Sequence, residues 1–200
     1  MTDDQPATSI GTGAADYGRN YYTHAHFGSG DDYGWDFPHW RTFFTMVAER
    51  IVGLTEPQTA LDVGCATGML VQALRYRGVD AKGFDFSEFA VNSAHQDVRD
   101  HLWVGSATDP IEGRYDLISC IEVLEHMAPT DAQKALDSIC AATDKVLFSS
   151  CPTEFEEPTH INSHPTSQWA AWFAERGFYR NTGADATFLA GWAVVFERAD

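Results

Sequence analysis

The stretch Thr59-Ala-Leu-Asp-Val-Gly-Cys-Ala-Thr-Gly68 decides the fold, together with the MLVQALRYRG (69–78) and DAKGFDF (80–86) that follow it. TALDVG (59–64) is a short apolar run with β-branched and aliphatic residues, the signature of a buried strand. MLVQALRYRG repeats its apolar positions at helical spacing and ends on Gly78, the residue type that closes helices in the left-handed conformation. DAKGFDF then reads as a second strand. A strand, a glycine turn, a helix and a strand within 30 residues make a βαβ unit, which pairs its strands in parallel.

The alternation continues outward. SEFAVNSAH (87–95) reads as a helix with Ser87 as N-cap. HLWVG (101–105) and RYDLISCIEV (114–123) read as strands. A helix over 130–142 buries Ala132, Ala135, Leu136 and Ile139, and KVLFSS (145–150) is a further strand. A helix over 167–176 buries Trp169, Trp172 and Phe173. GFYRNTGADATF (177–188) and GWAVVFER (191–198) close the chain as two strands able to pair antiparallel. Upstream, Phe43, Phe44, Val47, Ile51 and Leu54 recur at helical spacing. The expectation is an α/β, Rossmann-like sheet of seven strands, mostly parallel with one antiparallel strand, and helices on both faces. No repeat or linker divides the chain, so residues 1–200 read as one domain, with 1–16 as a mobile tail. Residues 17–40 (YGRNYYTHAHFGSGDDYGWDFPHW) concentrate aromatics and histidines among glycines and aspartates. They read as a flap packed on the core that doubles as a lid over a ligand.

Composition excludes several function classes. Lys+Arg is 13 and Asp+Glu is 29, a formal net charge of −16. That argues against nucleic acid, where affinity comes from Lys and Arg on phosphates, and against anionic membranes. No apolar run approaches the roughly 20 residues of a membrane span. The N-terminus lacks the basic and apolar regions of a signal peptide. Cys65, Cys120, Cys140 and Cys151 are far apart, three of them in apolar stretches, so they read as reduced thiols of a cytoplasmic protein without a thiolate zinc site.

The first turn binds a nucleotide. Its glycines allow close backbone approach, and the helix start offers unpaired N–H groups. Asp85, 23 residues after Asp62, stands at the end of the second strand, where a carboxylate accepts both hydroxyls of a ribose. A nicotinamide fingerprint would need glycine at 66 and 69, which are Ala66 and Met69. Asp62 before the glycines would repel a pyrophosphate but suits a cationic ligand. The run Asp62-Val63-Gly64-Cys65-Ala66-Thr67-Gly68 resembles the first motif of class I S-adenosylmethionine (SAM)-dependent methyltransferases, with Ala66 in place of the middle glycine. GFDFSEFAV (83–91) resembles the second motif, VGSATDP (104–110) the adenine-reading segment, and YDLISCIEVLEHM (115–127) the fourth-strand motif. The resemblance covers residues 58–150. It implies SAM held by Asp62, Gly64, Cys65, Ala66, Gly68, Asp85, Phe86, Ser106, Ala107 and Glu122, although the Asp usual at position 106 is absent.

Glu122-Val-Leu-Glu125-His126 follows the fourth strand, and Thr159-His160-Ile-Asn162-Ser-His164 follows the fifth. Adjacent parallel strands bring these loops side by side at the edge where ligands bind. Glu122, Glu125, His126 and His160, with His164 as substitute, make a mixed O/N donor set for a divalent cation, Mg²⁺ or Mn²⁺. The pattern also resembles the metal site of small-RNA terminal 2′-O-methyltransferases and, in part, ubiquinone-pathway O-methyltransferases, which implies a cation-held acceptor hydroxyl. Two alternatives stay open: His126 or His160 as a metal-free general base with Glu122 in the catalytic set, or purely structural roles. Glu154, Glu156 and Glu157 read as solvated charges, Asn162 as a substrate ligand or a loop cap, and His24, His26 and His39 as lid histidines. The whole pattern resembles small bacterial methyltransferases of sugars and glycans, including the methylmannose-polysaccharide 1-O-methyltransferase type. The expected partner is a small-molecule or oligosaccharide acceptor. The alternatives are an O- or N-methyltransferase of an aromatic or amino natural product, or a SAM-binding module without catalysis.

Overall fold

The computed structural model describes residues 13, 17–19, 21, 22, 33–153 and 159–199. Most of the expected tail, together with His24, His26, Glu154, Glu156 and Glu157, lies outside the described residues. The elements in chain order are α1 (Pro38–Thr55), β1 (Thr59–Val63), α2 (Met69–Tyr76), β2 (Asp80–Asp85), α3 (Glu88–Asn92), β3 (Leu102–Val104) and β4 (Leu117–Ile121). They continue with α4 (Pro129–Ala142), β5 (Lys145–Ser149), α5 (Thr166–Ala174), β6 (Phe178–Arg180) and β7 (Val194–Arg198). Among the described residues, no helix is long and apolar enough to cross a membrane.

The strands form one seven-stranded sheet in the order β3-β2-β1-β4-β5-β7-β6. All pairings are parallel except those of β7, which runs against both β5 and β6. Strand residues alternate between two cores, as their period of two demands. Ala60, Leu117, Leu147 and Val195 face the layer of α1 and α2. Leu61, Ile118, Val146, Phe148 and Phe196 face the layer of α4 and α5. In the second layer Trp169 and Phe173 are fully buried, and Phe173 stacks on Phe196 with centroids 4.2 Å apart. Truncating such an aromatic to alanine costs about 3–5 kcal/mol.

Local signals are met where they were expected. Ser87 Oγ accepts from Ala90 N–H at 3.1 Å, and Gly78 adopts φ +85° after α2. The penultimate strand is the correction: GFYRNTGADATF pairs only over Phe178–Arg180. Beyond it, Asn181 Oδ1 accepts from Gly183 N–H and Asp185 Oδ1 from Thr187 N–H, both at 2.9 Å. Such side-chain turns give the backbone an alternative to the ladder. Residues 181–193 therefore run as an irregular connection, free to cross toward the carboxyl edge of the sheet.

Candidate active site

β1 and β4 are neighbours whose following helices, α2 and α4, cover opposite faces. The gap at their carboxyl ends is the switch point where ligands bind in open α/β sheets. A cavity of about 750 Å³ opens there, within the range of about 300–1,000 Å³ usual for small-molecule sites.

Its cofactor half is built on the turn after β1. Gly64 (φ +75°) and Ala66 line the cavity, with Ala66 in the left-handed region at φ +49°. A side chain on Gly64 would collide with Val123, so this glycine is required by packing of the β4 turn as well as by ligand approach. Gly68 (φ +76°) is likewise closed in by Leu102 and does not line the cavity; Cys65 also lies behind the wall. Asp85 lines the cavity. Its two oxygens accept from Ala66 N–H (2.8 Å) and Ser87 N–H (2.7 Å), which fixes the carboxylate and leaves acceptor capacity for a diol. Burial raises its pKa, against those two N–H bonds. Phe86, Ser106 and Ala107 line the same half, with Ser106 Oγ 2.8 Å from Thr108 Oγ1.

Asp62 lies behind the wall. It is 6% exposed and accepts from Ser119 Oγ at 2.6 Å. Burial, with a smaller push from Asp85, raises its pKa to about 7. Burial and the neighbouring carboxylates also hold the Cys65 and Cys120 thiols well above their ordinary pKa, which leaves them protonated and unreactive.

The second half is built on the turn after β4. Glu122, which lines the cavity, closes the strand at φ +52°, an unusual conformation for a side chain-bearing residue. A short 3₁₀ turn, Leu124–His126, follows instead of a full helix. The loop after β5 clamps it: Asn162 N–H donates to Glu125 O (2.9 Å) and Asn162 Nδ2 to Leu124 O (3.1 Å). Asn162 is thus a clamp on the turn. This brings ligating atoms of Glu125, His126 and His160 within 4.8 Å of one another. The His126 and His160 rings meet edge to face at 4.6 Å, and His126 Nδ1 lies 3.0 Å from Thr159 Oγ1.

Glu125 is fully buried, and its Oε1 accepts from Cys151 N–H at 3.0 Å. As a carboxylate its Oε2 has no donor; protonated, it hydrogen-bonds Glu122. Burial and the Glu122 charge accordingly raise its pKa well above the ordinary carboxylate value. A buried carboxylate oxygen without a donor, beside two imidazoles, is a donor set that fits a divalent cation. Glu122 stands outside the group of three, with its Oε1 accepting from Trp192 Nε1 at 2.9 Å. His164 turns away, with Nε2 3.0 Å from Asn162 Oδ1 and its ring against Trp169 and Trp172. His39 packs on Trp40 and is not part of the cavity lining.

The remaining walls are aromatic and aliphatic: Tyr33, Trp40, Phe43, Phe44, Leu189 and Trp192. Tyr17 and Tyr21 approach His126 with centroids at 5.8 and 6.5 Å. The carbonyl of Tyr17 accepts from Ser87 Oγ at 2.5 Å, tying this early segment to the turn that carries Asp85. Sequence reasoning missed Trp192 and Thr159. Trp192 reads there as part of a strand, and nothing local signals a partner 70 positions away.

A family model described as a methyltransferase domain matches residues 37–181. Ubiquinone biosynthesis O-methyltransferases of Methylococcus capsulatus and Alkalilimnicola ehrlichii are each 31% identical, over 99 and 112 residues. These matches cover 45% and 52% of this chain and 42% and 45% of those proteins. The chain thus spans less than half the length of the curated relatives it matches, and both are named for ubiquinone biosynthesis, not for sugar methylation. Magnesium protoporphyrin IX methyltransferase from Synechocystis PCC 6803 with bound SAM superposes with a TM-score of 0.63 at 21% identity, over 80% of each chain. A TehB-like SAM-dependent methyltransferase from Corynebacterium glutamicum gives 0.61 at 19% identity, over 80% of this chain and 95% of the other. At such identities these are likenesses of fold. The family match spans most of the chain, including the Gly64–Asp85 turn and the 122–126 segment, and the chain belongs to the class I SAM-dependent methyltransferases.

Proposed function

We propose that this chain is an O-methyltransferase that transfers the methyl group of SAM to a hydroxyl of a small ring acceptor, with a divalent cation held by Glu125, His126 and His160. One observation carries the reading. His126 and His160 line the same cavity as the Asp85 carboxylate, with Glu125 buried directly behind them, so a hydroxyl and a ribose-bearing donor can be held together. When bound, SAM supplies an electrophilic methyl group and Mg²⁺ or Mn²⁺ lowers the pKa of an alcohol. The chain's own residues do the rest. Asp85 accepts the ribose hydroxyls, and Phe86, Ser106 and Ala107 border the base. Glu122 is steadied by Trp192 and faces the cation set from one side. Tyr17, Tyr21, Tyr22 and Tyr33 serve as the lid, and the aromatic walls exclude water. Without a cation, His126 or His160 takes the hydroxyl proton as general base.

Two acceptor rings fit these walls. Aromatic side chains stack on sugar faces and carboxylates hold sugar hydroxyls, which supports a sugar or glycan precursor. Phe43, Phe44 and Leu189 bring no polar atom, which supports a flat hydroxylated aromatic ring, in keeping with the names of the relatives. The test is methyl transfer from labelled SAM to a panel of glycosides and catechols, with EDTA or Mn²⁺. Activity is expected to vanish in EDTA and return with Mn²⁺, and Glu125→Ala and His160→Ala to lose that rescue while still binding S-adenosylhomocysteine (SAH). Full turnover in EDTA would refute the cation and leave the histidine base.

A further inference from the structure

Four tyrosines of the early chain make a continuous row along the cavity. Tyr17, Tyr21, Tyr22 and Tyr33 all line it. Tyr17 and Tyr21 meet with centroids 4.9 Å apart and ring planes at 68°. Tyr21 and Tyr22 meet at 5.1 Å and 79°, and Tyr33 follows 6.1 Å from Tyr22. One end of the row lies at His126, against which Tyr17 and Tyr21 pack edge to face. The other end lies at Asp85. Burial, and then the charge of Asp85, raise the Tyr22 hydroxyl above its ordinary pKa, so this ring stays neutral. Tyr22 also stacks on Phe89 of α3, with centroids 6.2 Å apart, and the N-cap of that helix, Ser87, donates its N–H to Asp85.

SAM carries its positive charge along this path. Its sulfur is attached to the ribose that Asp85 takes, and its methyl group has to point from there toward the acceptor, on the side of His126. A sulfonium between Asp85 and His126 runs beside Tyr21 and Tyr22. Cations are attracted to the negative faces of aromatic rings, and aromatic cages recognise quaternary ammonium groups in this way. Two rings set nearly at right angles make two walls of such a cage. We infer that Tyr21 and Tyr22 bind the sulfonium through their ring faces, so that the site distinguishes charged SAM from its neutral thioether product, SAH. On transfer the S–CH₃ bond breaks with its electron pair left on sulfur, and the acceptor atom takes the methyl group and gives up its proton. The rings then lose the charge they held, which favours release of SAH. The inference deepens the lid role given to these residues above. It rests on SAM lying on Asp85 and on His126 marking the acceptor side, and it does not need the divalent cation.

The experiment needs no acceptor. Calorimetry with SAM and with SAH gives the ratio of the two affinities for the full chain. It is run in EDTA and at about 0.5 M NaCl, so that the overall −16 charge contributes little. Tyr21→Leu and Tyr22→Leu each remove one ring and are expected to weaken SAM at least about threefold more than SAH. Tyr21→Phe and Tyr22→Phe keep the ring face and are expected to hold the wild-type ratio. The ratio is the readout because a variant that merely loosens the lid weakens both ligands alike. If Tyr22→Leu, at a buried position, fails to fold, the half-buried Tyr21 carries the test. Leucine variants that leave the ratio unchanged overturn the inference. So do phenylalanine variants that move it as far as leucine does, which would trace the effect to the hydroxyls. A wild-type chain that binds neither ligand overturns it together with the Asp85 reading, whereas binding of both with an unmoved ratio strikes the inference alone.

Discussion

Asp62 and Asp85 are neighbours in the site with different surroundings, and the difference predicts different behaviour. Asp85 is fixed at the cavity wall by two backbone N–H groups. Asp85→Ala should remove the ribose contacts, each charge-assisted bond worth roughly 1.5–3 kcal/mol. Calorimetry with SAH is expected to show at least about a tenfold loss; unchanged affinity would refute the assignment. Asp62 is buried with one hydroxyl donor, and its pKa rises to about 7 from an ordinary 3.8. The folded state therefore holds a proton between about pH 4 and 7 that the unfolded chain has released. This contribution to stability is whole below about pH 4, declines as pH rises to about 7, and is flat above. Asp62→Asn keeps an acceptor for Ser119 and cannot ionise. Urea midpoints should match wild type near pH 4 and exceed it at pH 8, by at most about 4 kcal/mol. Parallel pH profiles for the two proteins would show Asp62 to be ordinary.

At the scale of elements, three irregular pieces assemble the second half of the site. The loop at 159–164 and the connection at 181–193 have no repeating hydrogen-bond pattern, the 3₁₀ turn Leu124–His126 has a single turn of it, and all three depend on side-chain clamps. Asn162 is the central clamp, 3% exposed and bonded to two carbonyls of the turn. Asn162→Ala removes one of the two donors to the buried Leu124 carbonyl, leaving the longer bond from Met127 N–H (3.3 Å), and should cost about 0.5–1.5 kcal/mol in urea denaturation. Because the turn carries Glu125 and His126, Mn²⁺ affinity followed by the free-ion EPR signal should also weaken. SAH affinity should hold, since Asp85 lies on β2. Unaltered Mn²⁺ binding in this variant would detach the clamp from the cation set.

For the whole molecule, both halves of the site hang on one sheet, so a ligand on either half stabilises the fold it needs. SAH at a hundredfold excess over its Kd should add about 2.7 kcal/mol. For a chain of this size that raises Tm by roughly 5–10 °C, measurable by differential scanning calorimetry. No shift at saturating SAH would mean that the Gly64–Asp85 half does not bind it. NAD is expected to give none, because Ala66 and Met69 interrupt the dinucleotide glycine pattern.

Sequence alone determined the sheet and the glycine turn that faces Asp85, because both are written in local patterns. Period-two and helical spacing place β1, α2 and β2, and the glycines and Asp85 occupy fixed positions in one βαβ unit. The nearness of residues 122–126 to residues 159–164 was also legible, since the loops of adjacent parallel strands must meet. Their inner arrangement was not. Whether His160 or His164 turns inward depends on Asn162 and the tryptophans of α5, and those contacts exist only once the helix has packed. The same holds for Asp62, whose place behind the wall is set by Ser119 on a neighbouring strand, and for Trp192, which meets Glu122 across 70 residues. Short-range propensity fixes which elements form. Side-chain direction at the site comes from long-range contacts, which have no signature in the adjoining sequence, so only the tertiary structure decided it.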